Sequence, residues 1–476
     1  MRQLKDMKKE LEQAEKPILV HGGGATAQVT ALALAAARLP VCIVASANGS
    51  TIASDNNSGN ISGRASADKR ADYQSVLALS PAAKTMLETL GVWARLDLPA
   101  APVTDMTVYG DAQAWAYGSG LDFAAPQQAQ QDNQNQGHND ITVLAHIVCR
   151  AALGRAIAAT CDAAVKDGAV EVGDSALSSF DTATGDAAFA DGSALQAALL
   201  VDCARADSGT TPWRATQTAR PLRHDYQANA LVCTVESTRP HGGAAVQMFL
   251  PTGTLALLPL PVANQCALIW SLPRARAAAL ATVEASVFEH ELAQATQNHA
   301  GGLRLCDSAA SGARAVQPLS LALAEHYVSD KLCLLGEAAH VIHPLAGQGF
   351  NLSLRDAAQL ADALYEARAL GLAPDGPHVL DGYQKLRRAD SGVMAATTHM
   401  LATLFAGRPS RLTGPLARAG LSLSGRLASR NPKLAAAFRA RANGSGGAGG
   451  ADGAGGEGGA DGGAHAQPRL MRGRSF

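Results

Sequence analysis

Two glycine turns in this sequence have the residue types and spacing to hold a phosphate-bearing ligand. In the first, the apolar run Lys16–Val20 leads into His21-Gly22-Gly23-Gly24, and Gly22, Gly24 and Ala27 occupy the three positions of a G-x-G-x-x-G/A pattern. Glycine permits the tight turn, a second glycine lets backbone amides approach a pyrophosphate, and a small third residue lets the next helix pack on the strand. The same residues would also suit a purely structural turn. A ribose-binding carboxylate is expected about twenty residues on, at the end of the second strand. Ala45 and Ser46 stand there, and the next acid downstream is Asp55.

The second turn lies between Leu334 and Asp356, where the apolar run Lys331–Leu335 meets Gly336-Glu337-Ala338-Ala339-His340, then His343-Pro344, then Gly347-Gln348-Gly349-Phe350-Asn351. An acid at a strand end, Glu337, can accept sugar hydroxyls. Gly347, Gly349 and the first amides of the following helix form a positive turn suited to a phosphate or a ring carbonyl. His340 and His343 each fit either a packing and hydrogen-bonding role or direct ligand contact. They are too isolated from other donors to form a metal site, so no metal is predicted.

These turns need elements to position them. Strand, glycine turn, a helix over Ala25–Leu39 and a strand over Val41–Val44 form the opening unit of a doubly wound α/β dinucleotide-binding sheet. Residues 51–72 are polar and read as a loop. Helical spacing returns over Ser80–Leu96 and Thr142–Thr160, and Gln127–Asp140 is an amide-rich insert. Ala169–Val201 has the short alternating runs of a β-meander, and apolar runs broken by Pro, Gly and Asn between Tyr226 and Leu272 read as antiparallel sheet. Ala277–Ala295, Gly349–Leu370 and much of Tyr383–Arg441 are predicted helical, the last broken by Pro409, Pro415 and Pro432. Beyond Asn443 the Gly-rich sequence is predicted to bury no core and to form a disordered tail.

With 476 residues and 47% apolar residues the chain can bury a large core in two or three domains. Lysine plus arginine number 40 against 41 acidic residues, so the net charge of -1 provides no global field for nucleic acid. Eight scattered cysteines show no paired spacing, which suits a reducing cytoplasm. The first residues, MRQLKDMKKELEQAEK, carry no hydrophobic signal core, and no run is long enough to span a bilayer, so any membrane contact is expected to be peripheral. Arg408–Arg441 combines eight basic residues with interspersed Leu and Phe and no acid, which suits an anionic interface, and equally a solvated face or a docking surface.

The segment LLGEAAHVIHPLAGQGFNLSLRD resembles the second FAD motif of the flavin-dependent aromatic hydroxylases, and within them the ubiquinone-biosynthesis branch of the UbiH, UbiF and VisC type. Ala78–Leu96, Met106–Gly110, Arg239–Gly243, Phe249–Leu260 and Trp270-Ser271 resemble that branch in the same order, so the likeness runs from about Lys16 to about Leu404. It implies a para-hydroxybenzoate-hydroxylase-like fold: a Rossmann-like FAD domain in three parts (17–100, 141–221, 317–375), a substrate domain (101–140, 222–316) and C-terminal helices (376–442), between a charged lead (1–16) and the tail (443–476).

Carried over residue by residue, the resemblance assigns Gly22, Gly24, Ala27, Asp207, Arg214, Glu337, Gly347, Gln348, Gly349 and Asn351 to FAD. Pro344, Gly347 and Gln348 fall at the flavin face, and His343, Leu345 and Trp270 at the substrate, although Trp270 also suits ordinary core. Four positions depart from the family pattern: Ala45 for its ribose glutamate, Ser75 for an arginine, Ser208 for a glycine and Glu337 for an aspartate. The implied chemistry is hydroxylation of a polyprenyl-phenol, with NADH or NADPH reducing FAD and O2 supplying the oxygen atom. The implied setting is the inner face of the cytoplasmic membrane, in the company of other quinone-biosynthesis proteins. A noncatalytic paralogue serving as a scaffold, or a hydroxylase of another small aromatic, are the alternatives.

Overall fold

The computed structural model describes residues 16–45, 73, 75–109, 121–122, 143–205, 212–214, 221–250, 252–298, 301–306, 314–344, 347–406 and 467–476. Ser46, Asp55, the amide-rich insert, Asp207, Ser208, Leu345 and the basic segment 408–441 lie outside these residues.

In chain order the first half contains β1 (Ile18–His21), α1 (Ala25–Ala36), β2 (Val41–Val44), β3 (Val76–Leu79), α2 (Pro81–Thr89), β4 (Ala101–Val103), β5 (Asp105–Tyr109), β6 (Leu121–Asp122), β7 (Ala145–Cys149), α3 (Arg150–Lys166), β8 (Glu171–Val172), β9 (Leu177–Phe180), β10 (Asp186–Phe189), β11 (Ala194–Gln196) and β12 (Leu199–Asp202). The second half adds β13 (Leu222–Ser237), β14 (Ala244–Leu250), β15 (Gly253–Pro259), β16 (Gln265–Pro273), α4 (Arg274–Thr282), α5 (Ala285–Thr296), β17 (Leu303–Leu305), β18 (Ala315–Leu323), β19 (Val328–Ser329), β20 (Leu332–Leu334), β21 (His340–Val341), α6 (Gln348–Ala369) and α7 (Pro377–Ala406).

The first sheet runs β19-β20-β12-β1-β2-β8 and is parallel except at β19. Its central strands are uninterrupted apolar runs because both faces are covered; Leu19, Ile43 and Leu200 are fully buried. β1, β2, β12 and β20 come from three distant stretches of sequence, so the glycine turn after β1 and the Gly336 turn after β20 open at the same sheet edge.

The second sheet follows β21-β18-β13-β16-β15-β14-β5-β6, with β17 also on β13. Alternation along its strands gives it two unlike faces. Leu231, Cys233, Leu255, Leu268 and Trp270 point to one face, where Phe288 and Leu292 of α5 cover them. Ala228, Ala230, Val232, Ile269 and Leu319 line the other, and α7 packs across its end against β14, β15 and β18. The second face is apolar, with alanines at 228 and 230 beside Val232, Ile269 and Leu319.

Three local expectations are revised. Thr142–Thr160 is not one helix: Ala145–Cys149 forms a strand between β3 and β4, because this β-branched apolar run buries both of its faces, and Cys149 then caps α3. The expected helix over Ala277–Ala295 is two, with Val283 extended between them. The tail is ordered at its end, since Leu470 and Met471 are buried in the main core. Composition predicted otherwise because glycine dominates the stretch before this short apolar pair. All eight cysteines are buried thiols, and no helix among the described residues is long and apolar enough to cross a membrane.

Candidate functional site

The two glycine turns, more than three hundred residues apart in sequence, meet in space. Gly336 has φ +62°, and a Cβ built on it would fall 2.7 Å from Thr26 Cγ2 and 3.0 Å from Ser353 Oγ, so only a residue without a side chain lets the β20 turn lie against α1. Gly22 approaches Ala204 N and Ala27 Cβ, each 3.5 Å from its own would-be Cβ, which explains the small residue at position 27. Cβ atoms added at Gly24 and Gly349 meet nothing within 4 Å. Those glycines, at the starts of α1 and α6, bare their helix ends to open space.

Gly347 caps α6 with φ +61°, and a Cβ there would stand 3.0 Å from Ala78 Cβ of β3. Asn351 binds this junction from the other side: its Nδ2 donates to Ala78 O at 2.8 Å and its Oδ1 accepts from Ser80 N at 3.0 Å. Asn351, assigned to FAD by resemblance, is thus spent on the protein and locks β3 and α2 to the turn. Pro344 sits within that turn, its carbonyl accepting from Gly347 N at 3.0 Å.

Two buried carboxylates, both missed in the sequence, hold the frame. Asp202 ends β12 beside His21, which ends β1. It accepts from His21 Nδ1 at 2.9 Å, Trp213 Nε1 at 2.9 Å and Arg214 Nε at 2.6 Å. Burial pushes its pKa up, but the hydrogen bonds from His21 and Arg214 outweigh this and hold it well below the usual range. Arg214, the other motif residue expected at FAD, also donates to Ala204 O at 2.6 Å, so its guanidinium braces the β12 turn.

Asp356 on α6 does the same for the second turn, accepting from Gly336 N at 3.1 Å, His340 Nε2 at 2.7 Å and Arg387 Nε of α7 at 2.6 Å. Burial raises its pKa, and His340 and Arg387 pull it down to about 2. His340 therefore has the hydrogen-bonding role. For Asp202 a signal was available, since it is a carboxylate ending the apolar run Leu199–Val201, where burial without partners is costly.

His343 is buried with no partner for its Nδ1 among the described residues, and its ring stacks edge-on against Tyr226 at 4.8 Å. Tyr226 O–H lies 3.0 Å from His399 Nδ1 of α7. Burial, then the charge of His399, lower the His343 pKa to about 4, and burial raises Tyr226 to about 12. Through Tyr226 this group adjoins the Ala228–Ala230 face of the second sheet. Trp270 does not belong to it. Its indole is fully buried on the opposite face, 6.5 Å from the Phe288 ring, because strand alternation carries position 270 away from Ile269 and Ser271.

Charge at the open cleft comes from Glu337, Arg205 and Arg150. Glu337 Oε2 is 3.8 Å from Arg205 Nη1, with both side chains partly exposed. Arg150 starts α3. Solvent reaches it, yet protein surrounds its guanidinium closely enough that desolvation lowers its pKa, against the charge of Glu337. An arginine that shares the electrostatic field of Glu337 offers the donor chemistry that a diphosphate requires. Reading 142–160 as a single helix hid it mid-helix. A separate groove of about 630 Å³, lined by Trp93, Pro99, Pro102 and His146, holds none of the predicted residues.

The chain matches the family described as FAD binding domain over residues 85–394. The chain belongs to the FAD-dependent aromatic hydroxylases. Within them it falls in the ubiquinone-biosynthesis branch. It is 32% identical over 329 residues to ubiquinone hydroxylase UbiL of Rhodospirillum rubrum, covering 69% of this chain and 71% of that protein. It is also 36% identical over 169 residues to 3-demethoxyubiquinol 3-hydroxylase of Escherichia coli, covering 36% of this chain and 41% of that protein. Against rat mitochondrial monooxygenase COQ6 the identity is 31% over 244 residues, 45% of this chain and half of that protein.

Among solved structures, PqsL of Pseudomonas aeruginosa, described as a probable FAD-dependent monooxygenase, superposes with TM-score 0.61 at 20% identity, covering 86% of this chain and 99% of that one. The p-nitrophenol 4-monooxygenase PnpA of Pseudomonas putida superposes with TM-score 0.61 at 16% identity, covering 90% and 98%. These likenesses establish the hydroxylase fold. FAD is the cofactor of this family, and the bared helix ends, the close-set glycines and the cleft arginines fit it.

Proposed function

We propose that this flavin-dependent monooxygenase hydroxylates the aromatic ring of a polyprenylated phenol in ubiquinone biosynthesis, using NADH or NADPH and O2. The observation that carries the reading is the close approach of the Gly336 turn to the start of α1 beside the Gly22 turn, in a chain 32% identical over 329 residues to a ubiquinone hydroxylase.

Gly22, Gly24 and the first amides of α1 would hold the diphosphate with Arg150, and Glu337 would accept a sugar hydroxyl. Pro344, Gly347, Gln348 and Gly349 would face the flavin ring. Bound FAD, once reduced, supplies the oxygen chemistry. The protein's part is to position the phenol and exclude water. Ala228, Ala230, Val232 and Ile269 present an apolar roof, and His343, neutral at pH 7, adds no charge below it. Tyr226 O–H and His399 Nδ1 can pass a proton between them at the edge of this space.

Replacement of Arg150 by alanine is expected to weaken FAD binding by about 2 kcal/mol, the scale of a charge-assisted hydrogen bond. Titration of flavin fluorescence checks this, and an unchanged dissociation constant would exclude Arg150 from the diphosphate site. The function itself is tested by reconstituting purified protein with FAD, following flavin bleaching with NADH and with NADPH, and complementing a hydroxylase-deficient strain with quinone intermediates read by mass spectrometry. Failure to bind flavin sinks the reading, and an altered product without a prenyl tail would redirect it to another aromatic.

A scaffold role is the second reading, favoured by Ala45 at the end of β2, where the peptide oxygen accepts from Leu177 N and no carboxylate reaches ribose from that position. Restored quinone synthesis in the deficient strain, abolished by Glu337→Ala, would eliminate it. We place the protein at the inner face of the cytoplasmic membrane, held through Arg408–Arg441, because a polyprenyl tail partitions into lipid. Loss of flotation with anionic vesicles on deletion of 408–441 is the expected result, and retained flotation would exclude that segment.

A further inference from the structure

Residues 467–476 have no part in the chemistry above, yet they occupy a defined seat. They follow a stretch in which every residue from Gly444 to Ala464 is Gly, Ala, Ser, Asp or Glu, so nothing there can contribute a large apolar contact. The segment 467–476 then forms one 3-10 turn, Leu470–Arg472, that packs against both α2 and α6. Leu470 and Met471 enter the main core. Around them, Arg469 N donates to Asp362 Oδ2 at 2.9 Å, its guanidinium lies 4.8 Å over the Tyr365 ring and 3.6 Å from Glu366 Oε1, and the Phe476 ring lies 5.0 Å from the Tyr365 ring. Asp362, Tyr365 and Glu366 stand three and four residues apart, on one face of α6. The seat thus has the composition of a peptide site: two apolar sockets, an aromatic platform and two carboxylates matched to an Arg-Leu-Met sequence.

Both helices that form the seat begin at the cofactor turn. α6 starts at Gln348, and α2 starts after Ser80, whose amide Asn351 holds while Gly347 lies against Ala78. We propose that 467–476 is a detachable intramolecular clasp, a peptide ligand that joins α2 to α6 and whose seating tightens the grip of the Gly347–Asn351 turn on its cofactor. Because the peptide belongs to the same chain as its seat, it is supplied at an effective concentration on the order of millimolar. Seating and cofactor binding are then reciprocal: each favours the other by the same factor.

The clasp rests on the FAD reading for one of its two readouts only. A chain ending at Ala466 should bind FAD about tenfold more weakly than the full chain, within the usual range of coupling between sites. A fluorescent synthetic peptide of residues 467–476 should bind the truncated chain by anisotropy, compete with unlabelled peptide, and restore FAD affinity. In the full chain, Arg469→Ala with Phe476→Ala, which removes rim contacts and leaves the core pair, should speed FAD release and expose the segment to protease. Equal FAD affinity of truncated and full chains, absence of peptide binding, or unchanged FAD release in the double variant would each overturn the proposal. A full chain that is dimeric by sedimentation and becomes monomeric on truncation would also overturn it, since the seat would then be filled by a second copy. If the full chain binds no FAD, the cofactor reading fails, while peptide binding still decides whether the seat exists.

Discussion

Asp356→Leu is expected to destabilise the protein by roughly 3–5 kcal/mol, the cost of leaving a buried charge without its partner. The Arg387 guanidinium is almost fully buried, and after the substitution Asp390, 2.9 Å from its Nη1, would be its remaining carboxylate among the described residues. Gly336 N and His340 Nε2 would lose their acceptor at the same time. Urea unfolding followed by tryptophan fluorescence measures the loss. The double variant Asp356→Leu with Arg387→Met should recover much of it, because removing both ions also removes the cost of burying them. Should the double variant be as unstable as the single one, the fault would lie in the turn and not in the stranded charge.

The same carboxylate predicts a pH dependence. Its folded pKa, about 2, lies below that of an exposed carboxylate, so its contribution is present in full above the unfolded value and is lost as pH falls through the folded one. Wild-type stability should fall between about pH 5 and pH 2, and the double variant should fall less steeply. Parallel acid profiles for the two proteins would exclude Asp356 as a contributor.

Gly336→Val is expected to weaken cofactor binding. Its φ of +62° is costly for a β-branched residue, about 1–3 kcal/mol, before any contact is counted. The added Cβ would fall 2.7 Å from Thr26 Cγ2, so the β20 turn must retreat from α1. Since the Gly336 turn lies against α1 and Asp356 ties it to α6, that retreat would disturb the starts of both helices. FAD affinity should drop by at least tenfold, about 1.4 kcal/mol, measured by fluorescence titration. Thr26→Ala combined with Gly336→Ala should recover part of the loss, whereas full wild-type affinity in Gly336→Val would mean that the two turns do not share the ligand.

Strand alternation and glycine spacing made a good deal of this protein legible. Gly22, Gly24 and Ala27 announce a turn between strand and helix, and the chain forms one there. The run from Leu334 to Asp356 resembles the second FAD motif of the family to which the chain belongs. The antiparallel sheet was visible in apolar runs between turn residues, and the parallel strands in their lack of alternation. Local pattern misled where burial overrode it, as at Ala145–Cys149, where a strand forms because β3 and β4 lie on either side of it.

What could not be read in the sequence was direction and partnership. Trp270 and Ile269 are neighbours in the chain and face opposite sides of a sheet, so a roof residue and a core residue differ by one position whose sense is set by packing. Asn351 and Arg214 match family motifs, yet only the fold shows their polar groups committed to Ala78, Ser80, Asp202 and Ala204. Asp356 and Arg387, thirty-one residues apart, become a pair because α6 and α7 pack together. Leu470 and Met471 find their socket across more than a hundred residues. Amino-acid types determine which groups must be satisfied once buried; the tertiary structure decides by whom, because partners over such distances are chosen by how helices and sheets pack and not by spacing along the chain.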